Sequence, residues 1–381
     1  MNKIVIKKYL QKIFKKISYG FFLKIYGGIK DSIENDSDNR IKVNTANLDK
    51  EFSYKVYIIS SGRLYTDRIH DTAVIIDNKI IEGPSFQLRK GAGDHIFNSN
   101  VKNNVVLTKG TPRKLRKLNG SLLSLLTGGA GNNNYWHWLF DVLPRFGICS
   151  KAINLNEIDH FLLPSLLKGF QRETLDILNI PEYKRITSEK FRHIKTKKLI
   201  ITDHPVMITG NATKDHQSTP KWISLWLRNK FLNDDKDKQI GESKKIKIYI
   251  DRSETNSKHP PQRTIINESE VKKYLIKNNF ITVKLHEKKF SDQINLFKNA
   301  ECVVGLHGAG FGNIVFCEPR TKVIELKSTT SAHAIKNLSK TNELNYNSIE
   351  VEAKKIYDFE FPNQQGSIEI PIKSLAETLE N

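Results

Sequence analysis

The sequence predicts an α/β protein with two domains, and three features of the chain lead to this prediction. Its 381 residues are enough for two domains of ordinary size. Beyond a charged stretch at 233–245, short apolar runs alternate with helical patterns, which is typical of a parallel, Rossmann-like sheet. One of these runs leads into a glycine-rich turn. We therefore expect a basic leader and tether at 1–50, an N-terminal domain at 51–236, a C-terminal Rossmann-like domain at 237–345 and a tail at 346–381.

The composition excludes several classes of protein. Hydrophobic residues make up 38% of the chain and charged residues 27%, which is enough apolar material for a core and excludes general disorder. The 3 cysteines are Cys149, Cys302 and Cys317, and no two of them form a CxxC pair. This excludes a disulfide framework and a cysteine-rich zinc module, and it predicts a reduced, intracellular protein.

The net charge of +20 suggests a polyanionic partner such as nucleic acid, an anionic membrane or a phosphorylated substrate. However, only 14 of the 61 basic residues are arginine. Lysine acts as a solvated point charge, whereas geometric recognition of phosphates and bases favours the fork of arginine. The charge alone is therefore weak evidence, and we expect no nucleic-acid partner.

Residues 1–30 predict a basic amphipathic helix, because they contain 8 lysines and no acidic residue. At helical spacing, one face is apolar and consists of Leu10, Ile13, Phe14, Ile17 and Phe21. The opposite face is basic and consists of Lys7, Lys8, Lys12, Lys15 and Lys16. Lysines interrupt any signal-peptide core, and no run approaches the roughly 18–20 apolar residues of a membrane-spanning helix. Two interpretations stay open: a helix lying on an anionic leaflet, or a solvated helix packed on the body of the protein. The polar residues 32–50 predict a tether.

In the N-terminal domain, short β-rich runs predict strands at 54–60, 72–77, 79–81, 105–108, 161–164 and 198–202. Asp77 and Asn78, between two apolar runs, predict a hairpin turn. Helical spacing predicts helices at 135–146, 167–178 and 220–232.

In the C-terminal domain, apolar runs predict strands at 247–250, 281–285, 301–305 and 322–326. Helices are predicted at 268–279 and 292–299, and a further short helix after the glycine-rich turn. Asn267 is the predicted N-cap of the first of these helices, and Glu270 would complete a capping box with it. This order of strands and helices predicts a parallel sheet.

The glycine-rich turn at 305–313 lies between a buried strand and the start of a helix, where backbone N–H groups and the helix dipole favour a phosphate. His307 adds a side-chain donor, and Glu325, at the end of the next strand, could accept a ribose hydroxyl. The spacing of Gly308, Gly310 and Gly312 does not match the dinucleotide fingerprint G-x-G-x-x-G. Either the turn binds a phosphate, which we favour, or its glycines only allow a tight connection between the strand and the helix.

A second motif is the aromatic segment at 134–146, which follows a loop rich in glycine and asparagine. His137 and Asp141 are i,i+4 neighbours about 6 Å apart on one helical face, and Arg145 continues that face. A histidine beside a carboxylate can act as a general base with an orienting partner. The alternative is a core helix in which the pair has a structural role only. Pro144 is expected to end or kink the helix nearby.

Together these segments resemble glycosyltransferase family 61, which includes bacterial capsular polysaccharide enzymes. Asn134 to Arg145 follow the signature N-Y-x-H-W-x-x-[DE]-x-L-P-R. Gly305 to Glu325 follow G-x-H-G-A-G-[LF]-x-N-x-x-F-x-x-P-x-x-x-V-I-E. Between them, Arg252 follows a strand, and the residues from Arg263 follow R-x-I-x-N-E. The resemblance covers 134–325 and leaves the leader and the tail outside.

The resemblance implies a GT-B architecture, in which two Rossmann-like domains face a cleft. The N-terminal domain would hold the acceptor and the C-terminal domain the nucleotide sugar. It also implies an inverting reaction that uses no metal and no cofactor. The two DxD patterns, at 36–38 and 235–237, lie in the predicted tether and linker and are interpreted as solvated charge.

The same resemblance implies roles for individual residues. The catalytic base is Asp141 or His137, with the other member orienting it, and we prefer Asp141. The implied donor- and phosphate-binding residues are Arg252, Arg263, His307, Gly308, Ala309, Gly310, Asn313 and Glu325. The implied acceptor-side residues are Asn134, Trp138 and Arg145.

The implied substrates are a nucleotide sugar, expected to be UDP-linked, and a hydroxyl of a growing capsular or lipopolysaccharide-type glycan carried on a lipid. With the basic leader, this predicts a cytoplasmic enzyme that is peripheral on the inner face of the cell membrane. Three alternatives remain from the residues: a nicotinamide-dependent oxidoreductase, a non-enzymatic polyanion-binding protein, and a transferase fold without activity.

Overall fold

The computed structural model describes residues 3–91, 95–98, 100–126, 133–232, 245–252, 263–354 and 366–380. The chain has the predicted mixed α/β fold, and it divides into two compact units. The first unit comprises Met1–Gln171 and Asn179–Asp215, and the second comprises Arg172–Leu178 and His216–Asn381. The predicted linker lies outside the described residues except for Lys245, and most of the loop before Asn134 also lies outside them.

The first unit begins with the predicted helix and continues with eight strands. These elements are α1 (Lys3–Tyr26), β1 (Asp31–Ile33), β2 (Ile41–Asn47), β3 (Ser53–Ser60), β4 (Arg63–Thr66), β5 (Asp71–Ile76), β6 (Lys79–Ile81), β7 (Phe86–Lys90) and β8 (His95–Asn98). The others are α2 (Val105–Lys109), β9 (Arg116–Ser124), α3 (Tyr135–His137), a π-helix (Trp138–Val142), α4 (Pro144–Ser150), β10 (His160–Leu163), α5 (Gly169–Ile177), β11 (Arg185–Thr187), β12 (His193–Thr202) and α6 (Ala212–Asp215). Residues 172–177 of α5 belong to the second unit.

The described strands of the first unit form one 12-stranded sheet with the main order β1-β6-β5-β4-β12-β9-β10-β11. The neighbours β12, β9, β10 and β11 run parallel, as a Rossmann-like sheet requires. The remaining pairs are antiparallel except for β1 with β6. Apart from the pair of β1 and β6, the parallel arrangement predicted for this unit is therefore present in the described strands only in β9–β12.

The hairpin predicted at Asp77 and Asn78 is confirmed. These two residues join β5 to β6 and have φ values of 46° and 62°. Positive φ at both central residues is what a tight two-residue hairpin of type I′ requires, and asparagine and aspartate tolerate it better than other residues with side chains.

Two predictions for this unit are wrong. The expected tether at 32–50 contains two strands, and β2 pairs with β3 along its whole length. The expected strand at 105–108 is helix α2, because Asn104 Oδ1 accepts the N–H of Val106 at 3.2 Å and Gly110 ends the helix at φ 59°. In both places hydrogen bonds to the backbone decide the secondary structure, and the pattern of apolar residues does not predict these bonds.

The C-terminal end of helix α1 packs on the rest of the first unit. The hydroxyl of Tyr26 accepts the N–H of Leu115 at 2.9 Å, and its ring packs edge-on against His193 with 5.0 Å between the centroids. Further towards the N-terminus the apolar residues face solvent, with Phe14 73% and Ile17 66% exposed. Among the side chains of α1 that the structure describes, those near its C-terminal end therefore pack on the body, whereas Phe14 and Ile17 do not. Within the described residues, we find no helix with a stretch long and apolar enough to cross a membrane.

The second unit alternates helices and strands as predicted, but it also contains the helix at 221–232, which the sequence analysis assigned to the N-terminal domain. Its further elements are α7 (Lys221–Leu232), β13 (Ile246–Ile250), β14 (Arg263–Ile265), α8 (Glu268–Lys277), β15 (Phe280–Val283), α9 (Phe290–Lys298), β16 (Ala300–Leu306), a 3₁₀ helix (Ala309–Phe316), β17 (Lys322–Ser328), α10 (Ala334–Thr341), β18 (Asn345–Val351), β19 (Gly366–Ile368) and α11 (Ile372–Glu380). Its main sheet has the order β15-β13-β16-β17-β18, and all four pairings are parallel. The predicted parallel sheet is confirmed.

The capping box predicted for α8 is wrong. Asn267 does precede this helix, but its side chain makes no capping bond. Its Oδ1 accepts the N–H of Ile370 at 2.9 Å, and its Nδ2 donates to the carbonyl of the same residue at 2.9 Å. Asn267 thus holds the segment around Ile370 against the start of α8.

The predicted tail at 346–381 contains regular structure that belongs to the second unit. β18 is the edge strand of the main sheet, β19 pairs with β14, and Leu375 of α11 is buried in the core. The expected tail therefore completes the second unit.

Candidate active site

The strand order of the second sheet reverses between β13 and β16. From β13 the chain passes to β15 on one side and then returns to β16 on the other side of β13. In open parallel sheets, such a reversal leaves a crevice at the carboxyl ends of the two strands, and ligands bind there. Arg252 lies two residues after β13, and His307 directly follows β16. Two predicted donor-site residues therefore lie at the position where topology predicts a ligand.

Two guanidinium groups converge on the backbone carbonyl of His307. Arg252 Nη1 donates to this oxygen at 2.6 Å, and Arg263 Nη1 donates to it at 3.1 Å. Burial lowers the pKa of both side chains, and it lowers the pKa of Arg263 to about 10 with a further contribution from the nearby charge of Arg252. Two like charges close together and away from water repel each other. An anion bound between them would offset this repulsion.

The side chain of His307 is held by Glu325. His307 Nδ1 is hydrogen-bonded to Glu325 Oε1, and the hydroxyl of Tyr346 donates to Glu325 Oε2. Burial lowers the pKa of His307, and the contact with Glu325 opposes this effect. Glu325 is 0% exposed, so its place in the structure is that of a partner of His307 and not of an open acceptor for ribose. Its predicted role at the ribose has no support from these contacts.

The glycine-rich turn opens a 3₁₀ helix that begins at Ala309, with Gly308 as its N-cap. A Cβ on Gly308 would lie 2.4 Å from Arg252 Nη1, and a Cβ on Gly310 would lie 3.0 Å from Leu285 Cδ1. Gly308 therefore permits the close approach of the Arg252 guanidinium. Gly308, Ala309 and Gly310 are half-buried at this edge of the sheet, where a phosphate is predicted to bind.

Asn313 lies inside the same 3₁₀ helix and is fully buried. Its Nδ2 donates to Gln293 Oε1 at 2.9 Å and to the carbonyl of Gly310 at 3.3 Å. These two contacts fix the turn against α9. Asn313 thus supports the shape of the turn in this structure.

In the first unit, the aromatic motif contains a π-helix at Trp138–Val142, between α3 and α4. Pro144 is the first residue of α4 and has no N–H, so it cannot continue the ordinary hydrogen-bond ladder. The preceding residue, Leu143, donates its N–H to the carbonyl of Trp138, five residues back, at 3.1 Å. Single π turns of this kind occur frequently at functional sites. The predicted disturbance near Pro144 is therefore a widening of the helix.

The predicted pair of His137 and Asp141 is present. His137 Nδ1 lies 2.6 Å from Asp141 Oδ2, and the side chains are 19% and 1% exposed, respectively. When Nδ1 donates to the carboxylate, the proton-accepting position of the neutral ring is Nε2. The pair thus has the geometry of a base and its orienting partner, with histidine as the more exposed member.

The three residues predicted on the acceptor side have clear structural roles. Asn134 caps α3, since its Oδ1 accepts the N–H of Trp136 at 2.9 Å. Trp138 is fully buried. Arg145 is also buried: its Nε donates to the carbonyl of Asp141 at 3.0 Å, and its Nη1 donates to the carbonyl of Thr202 at 3.2 Å. Burial lowers the pKa of Arg145 to about 10. These residues hold the π-helix in place, and their predicted contact with an acceptor stays a prediction.

Both motifs lie in a region that matches a known family. The family model described as glycosyltransferase 61 matches residues 135–324, about half of the chain. The chain belongs to glycosyltransferase family 61. Membership supports glycosyltransferase activity, with a nucleotide-sugar donor and a glycan acceptor. It gives no support to an oxidoreductase or to a polyanion-binding protein. No curated protein sequence matches this glycosyltransferase.

Two residues near the glycine-rich turn of this family 61 glycosyltransferase are absent from the sequence-based prediction. Tyr346 contacts Glu325 from β18. The side chain of Lys327 is 1% exposed, and its Nζ lies 3.7 Å from Glu350 Oε1. A lysine two positions after Glu325 inside an apolar strand is a signal that could have revealed Lys327. Nothing in the sequence marks Tyr346, because its contact depends on the pairing of β17 with β18.

Proposed function

We propose that this family 61 glycosyltransferase is an inverting, metal-independent enzyme that transfers a sugar from a nucleoside-diphosphate donor to a glycan hydroxyl. The observation that carries the proposal is the convergence of Arg252 and Arg263 on the carbonyl of His307. This cluster lies at the crevice of a parallel sheet and combines two guanidiniums with an imidazole. Its charge suits a diphosphate, because arginine forks match phosphate oxygens in pairs.

The proposed reaction is a single displacement at the anomeric carbon of the donor sugar. The acceptor oxygen forms a bond to this carbon, while the bond from the carbon to the diphosphate oxygen breaks. The electron pair of the broken bond goes to the diphosphate, and the hydroxyl proton goes to a base. The charge that develops on the leaving phosphate must be stabilised, and Arg252 and Arg263 supply fixed positive charge for this. The reaction therefore needs no metal at the diphosphate.

We assign the proton-accepting role to His137, with Asp141 as its orienting partner. The sequence alone favours Asp141 as the base. In the structure, however, Asp141 is 1% exposed and lies against His137 Nδ1, whereas the imidazole is the more accessible group. A base must come within hydrogen-bond reach of the acceptor hydroxyl. The half-buried histidine meets this requirement better than the fully buried carboxylate.

Two observations support the GT-B architecture as a proposal. The chain divides into two compact units, and the second contains a parallel sheet with a glycine-rich turn at its strand-order reversal. The first unit contains a parallel portion in β9–β12. The oxidoreductase alternative relies on Glu325 as a ribose acceptor, and the complete burial of Glu325 argues against it.

The test of the donor class is the thermal stability of the enzyme with UDP, GDP, CMP or NAD, each with and without EDTA. A ligand at about a hundred times its Kd adds about 2.7 kcal/mol to the free energy of unfolding and visibly raises Tm. We expect UDP to raise Tm to the same extent with and without EDTA. A response only to NAD would contradict a transferase, and a UDP response that EDTA abolishes would contradict metal independence at the diphosphate.

We further propose that the acceptor is a lipid-linked capsular or lipopolysaccharide-type glycan, and that α1 holds the enzyme on the anionic inner face of the cell membrane. Residues 1–30 contain 8 lysines and no acidic residue. The apolar face of α1 is largely exposed along the described part of the helix. Basic helices with an exposed apolar face bind anionic bilayers through both features. This location would bring the enzyme to a lipid-linked substrate.

The membrane proposal predicts the outcome of a vesicle sedimentation experiment with the variant Phe14→Ser/Ile17→Ser. Burial of one such side chain is worth roughly 1.5–3 kcal/mol, so we expect the double variant to bind phosphatidylglycerol vesicles at least about tenfold more weakly. Point variants are preferable to removal of residues 1–43, because that truncation deletes β1 and part of β2.

The matched control is Leu225→Ser/Ile276→Ser, which removes two apolar side chains that are 57% and 58% exposed outside α1. It should bind the vesicles as the wild type does. Wild-type binding should also fall at high salt and be weaker to phosphatidylcholine vesicles. Equal sedimentation of the α1 variant and the wild type would overturn the membrane role of the helix.

A further inference from the structure

We propose that Tyr346 is a positioning residue of the donor site: through Glu325 it fixes the ring of His307, so that the imidazole can take up a proton when the diphosphate binds. This inference rests on the proposed function, because it assumes that the crevice at β13 and β16 receives the donor diphosphate.

The three side chains form a hydrogen-bonded row across neighbouring strands. Tyr346 lies on β18, Glu325 lies on β17, and His307 directly follows β16. The parallel register pairs Glu325 with Gly305 on one side and with Ser348 on the other. The hydroxyl of Tyr346 donates to one oxygen of Glu325, and the other oxygen contacts His307 Nδ1. Both carboxylate oxygens are thus occupied, and the carboxylate cannot turn away from the ring without breaking a bond.

The direction of the ring follows from this row. With Nδ1 held by Glu325, Nε2 is the ring nitrogen that remains to meet a phosphate. The carbonyl of the same residue accepts from Arg252 and Arg263, so the backbone and the side chain of His307 are held by separate partners. A donor whose orientation is fixed in advance stabilises a leaving group without reorganisation during the reaction.

The charges that face His307 explain why the row includes a buried carboxylate. The guanidinium of Arg263 and the ammonium of Lys327 both disfavour a proton on the ring. Glu325 favours the proton, and burial, the largest effect, lowers the pKa of His307 in the ligand-free enzyme. Lys327 is itself partly offset by Glu350, 3.7 Å away. A dianionic phosphate at Nε2 adds the missing negative charge, so the pKa of His307 rises when the diphosphate binds.

Proton uptake on binding is therefore the measurement that separates a positioning role from a merely structural one. We would titrate the enzyme with UDP by calorimetry in buffers of different ionisation enthalpy at about pH 7.5, where a phosphate with a second pKa near 6 is already ionised. In the wild type we expect net uptake that approaches one proton. In Glu325→Gln, which keeps the shape but loses the charge, we expect uptake close to zero.

Tyr346→Phe removes one hydroxyl and keeps the ring, which is half-buried. Without this donor the carboxylate is no longer held at Nδ1, so the imidazolium is stabilised less. We expect proton uptake to fall to less than half of the wild-type value and UDP to bind about tenfold more weakly, the usual scale for one hydrogen bond to a charged group.

The matched control is Tyr249→Phe. Tyr249 lies in the same sheet, and its hydroxyl also donates to a glutamate, Glu268 Oε1 at 3.1 Å on α8. This variant should retain the wild-type proton uptake. Wild-type uptake in Tyr346→Phe, or an equal loss in Tyr249→Phe, would overturn the inference while leaving the proposed function in place. If UDP does not bind the wild type at all, the proposed function fails and this inference fails with it.

Discussion

Replacement of Arg263 by alanine is expected to lower the turnover of the enzyme by a factor of about 10²–10³, the usual cost of removing one preorganised donor from a developing charge. Arg263 is half-buried, and its Nη1 lies 3.1 Å from the carbonyl of His307 beside Arg252. Its loss halves the fixed guanidinium charge at this carbonyl. We would measure the initial rate of nucleotide release from the donor that the thermal-shift panel identifies.

Arg263→Lys is a second informative variant at this position. It keeps one positive charge but loses the planar fork that can donate two parallel hydrogen bonds to a phosphate. We expect its rate to lie between those of the wild type and Arg263→Ala. A lysine variant as slow as the alanine variant would show that geometry matters more than charge at this position.

The chain offers a matched control for the loss of a partly buried arginine. Arg228 is in the same unit, and its Nη1 donates to two backbone carbonyls, those of Val315 at 2.9 Å and Cys317 at 2.6 Å. Arg228→Ala should lower Tm, because it leaves these carbonyls without their donor, but its turnover should stay within a few-fold of the wild type. If Arg263→Ala also retained turnover within a few-fold, the donor-site assignment would be wrong.

The second unit was largely predictable because its central strands, β13, β16 and β17, are mostly buried. Such strands appear in the sequence as continuous apolar runs separated by helical patterns, and the parallel sheet follows from that alternation. The positions of Arg252 and His307 at the ends of two neighbouring strands then follow from the order of the strands in the sheet. The role of Glu325 was not predictable, because a carboxylate at the end of a strand can point to a ligand or to a neighbouring residue, and only the packing of Tyr346 against it decides.

The first unit was less predictable because some of its strands are ordered by pairing with a neighbouring strand and not by an apolar pattern of their own. β2 has little apolar contrast, and it is ordered by β3 through seven residue pairs. The helical motif was found, but its π turn was not, since the widening depends on how the backbone responds to Pro144. The identity of the more exposed member of the proposed catalytic pair also required the structure, because residue spacing places His137 and Asp141 on one face without saying which side chain is covered.

The choice between these two residues as base leads to the other large expected effect. His137→Ala should lower turnover by a factor of about 10²–10⁴, the range for loss of a general base. Asp141→Ala should also be slow, because the imidazole then loses the partner that sets its tautomer and orientation. Rates alone therefore do not separate the two roles.

Chemical rescue separates them. If His137 is the base, added imidazole should restore part of the turnover of His137→Ala, since the side chain that is removed is partly exposed, at 19%. Added formate should not restore Asp141→Ala, since Asp141 is 1% exposed and acts through the missing orientation of the ring. The opposite pattern, with rescue by formate alone, would show that Asp141 is the base, which is the assignment that the sequence favours.

The control for the removal of a histidine from the same unit is His193→Gln. His193 is buried, its Nδ1 lies 2.8 Å from the carbonyl of Arg113, and burial lowers its pKa to about 4. It is therefore neutral at neutral pH and has a structural contact at one nitrogen. The variant should lose stability but keep its turnover, and imidazole should not change its rate. A rescue confined to His137→Ala would then reflect proton transfer at that position, because a general effect of imidazole on the fold or on the donor site would appear in both histidine variants.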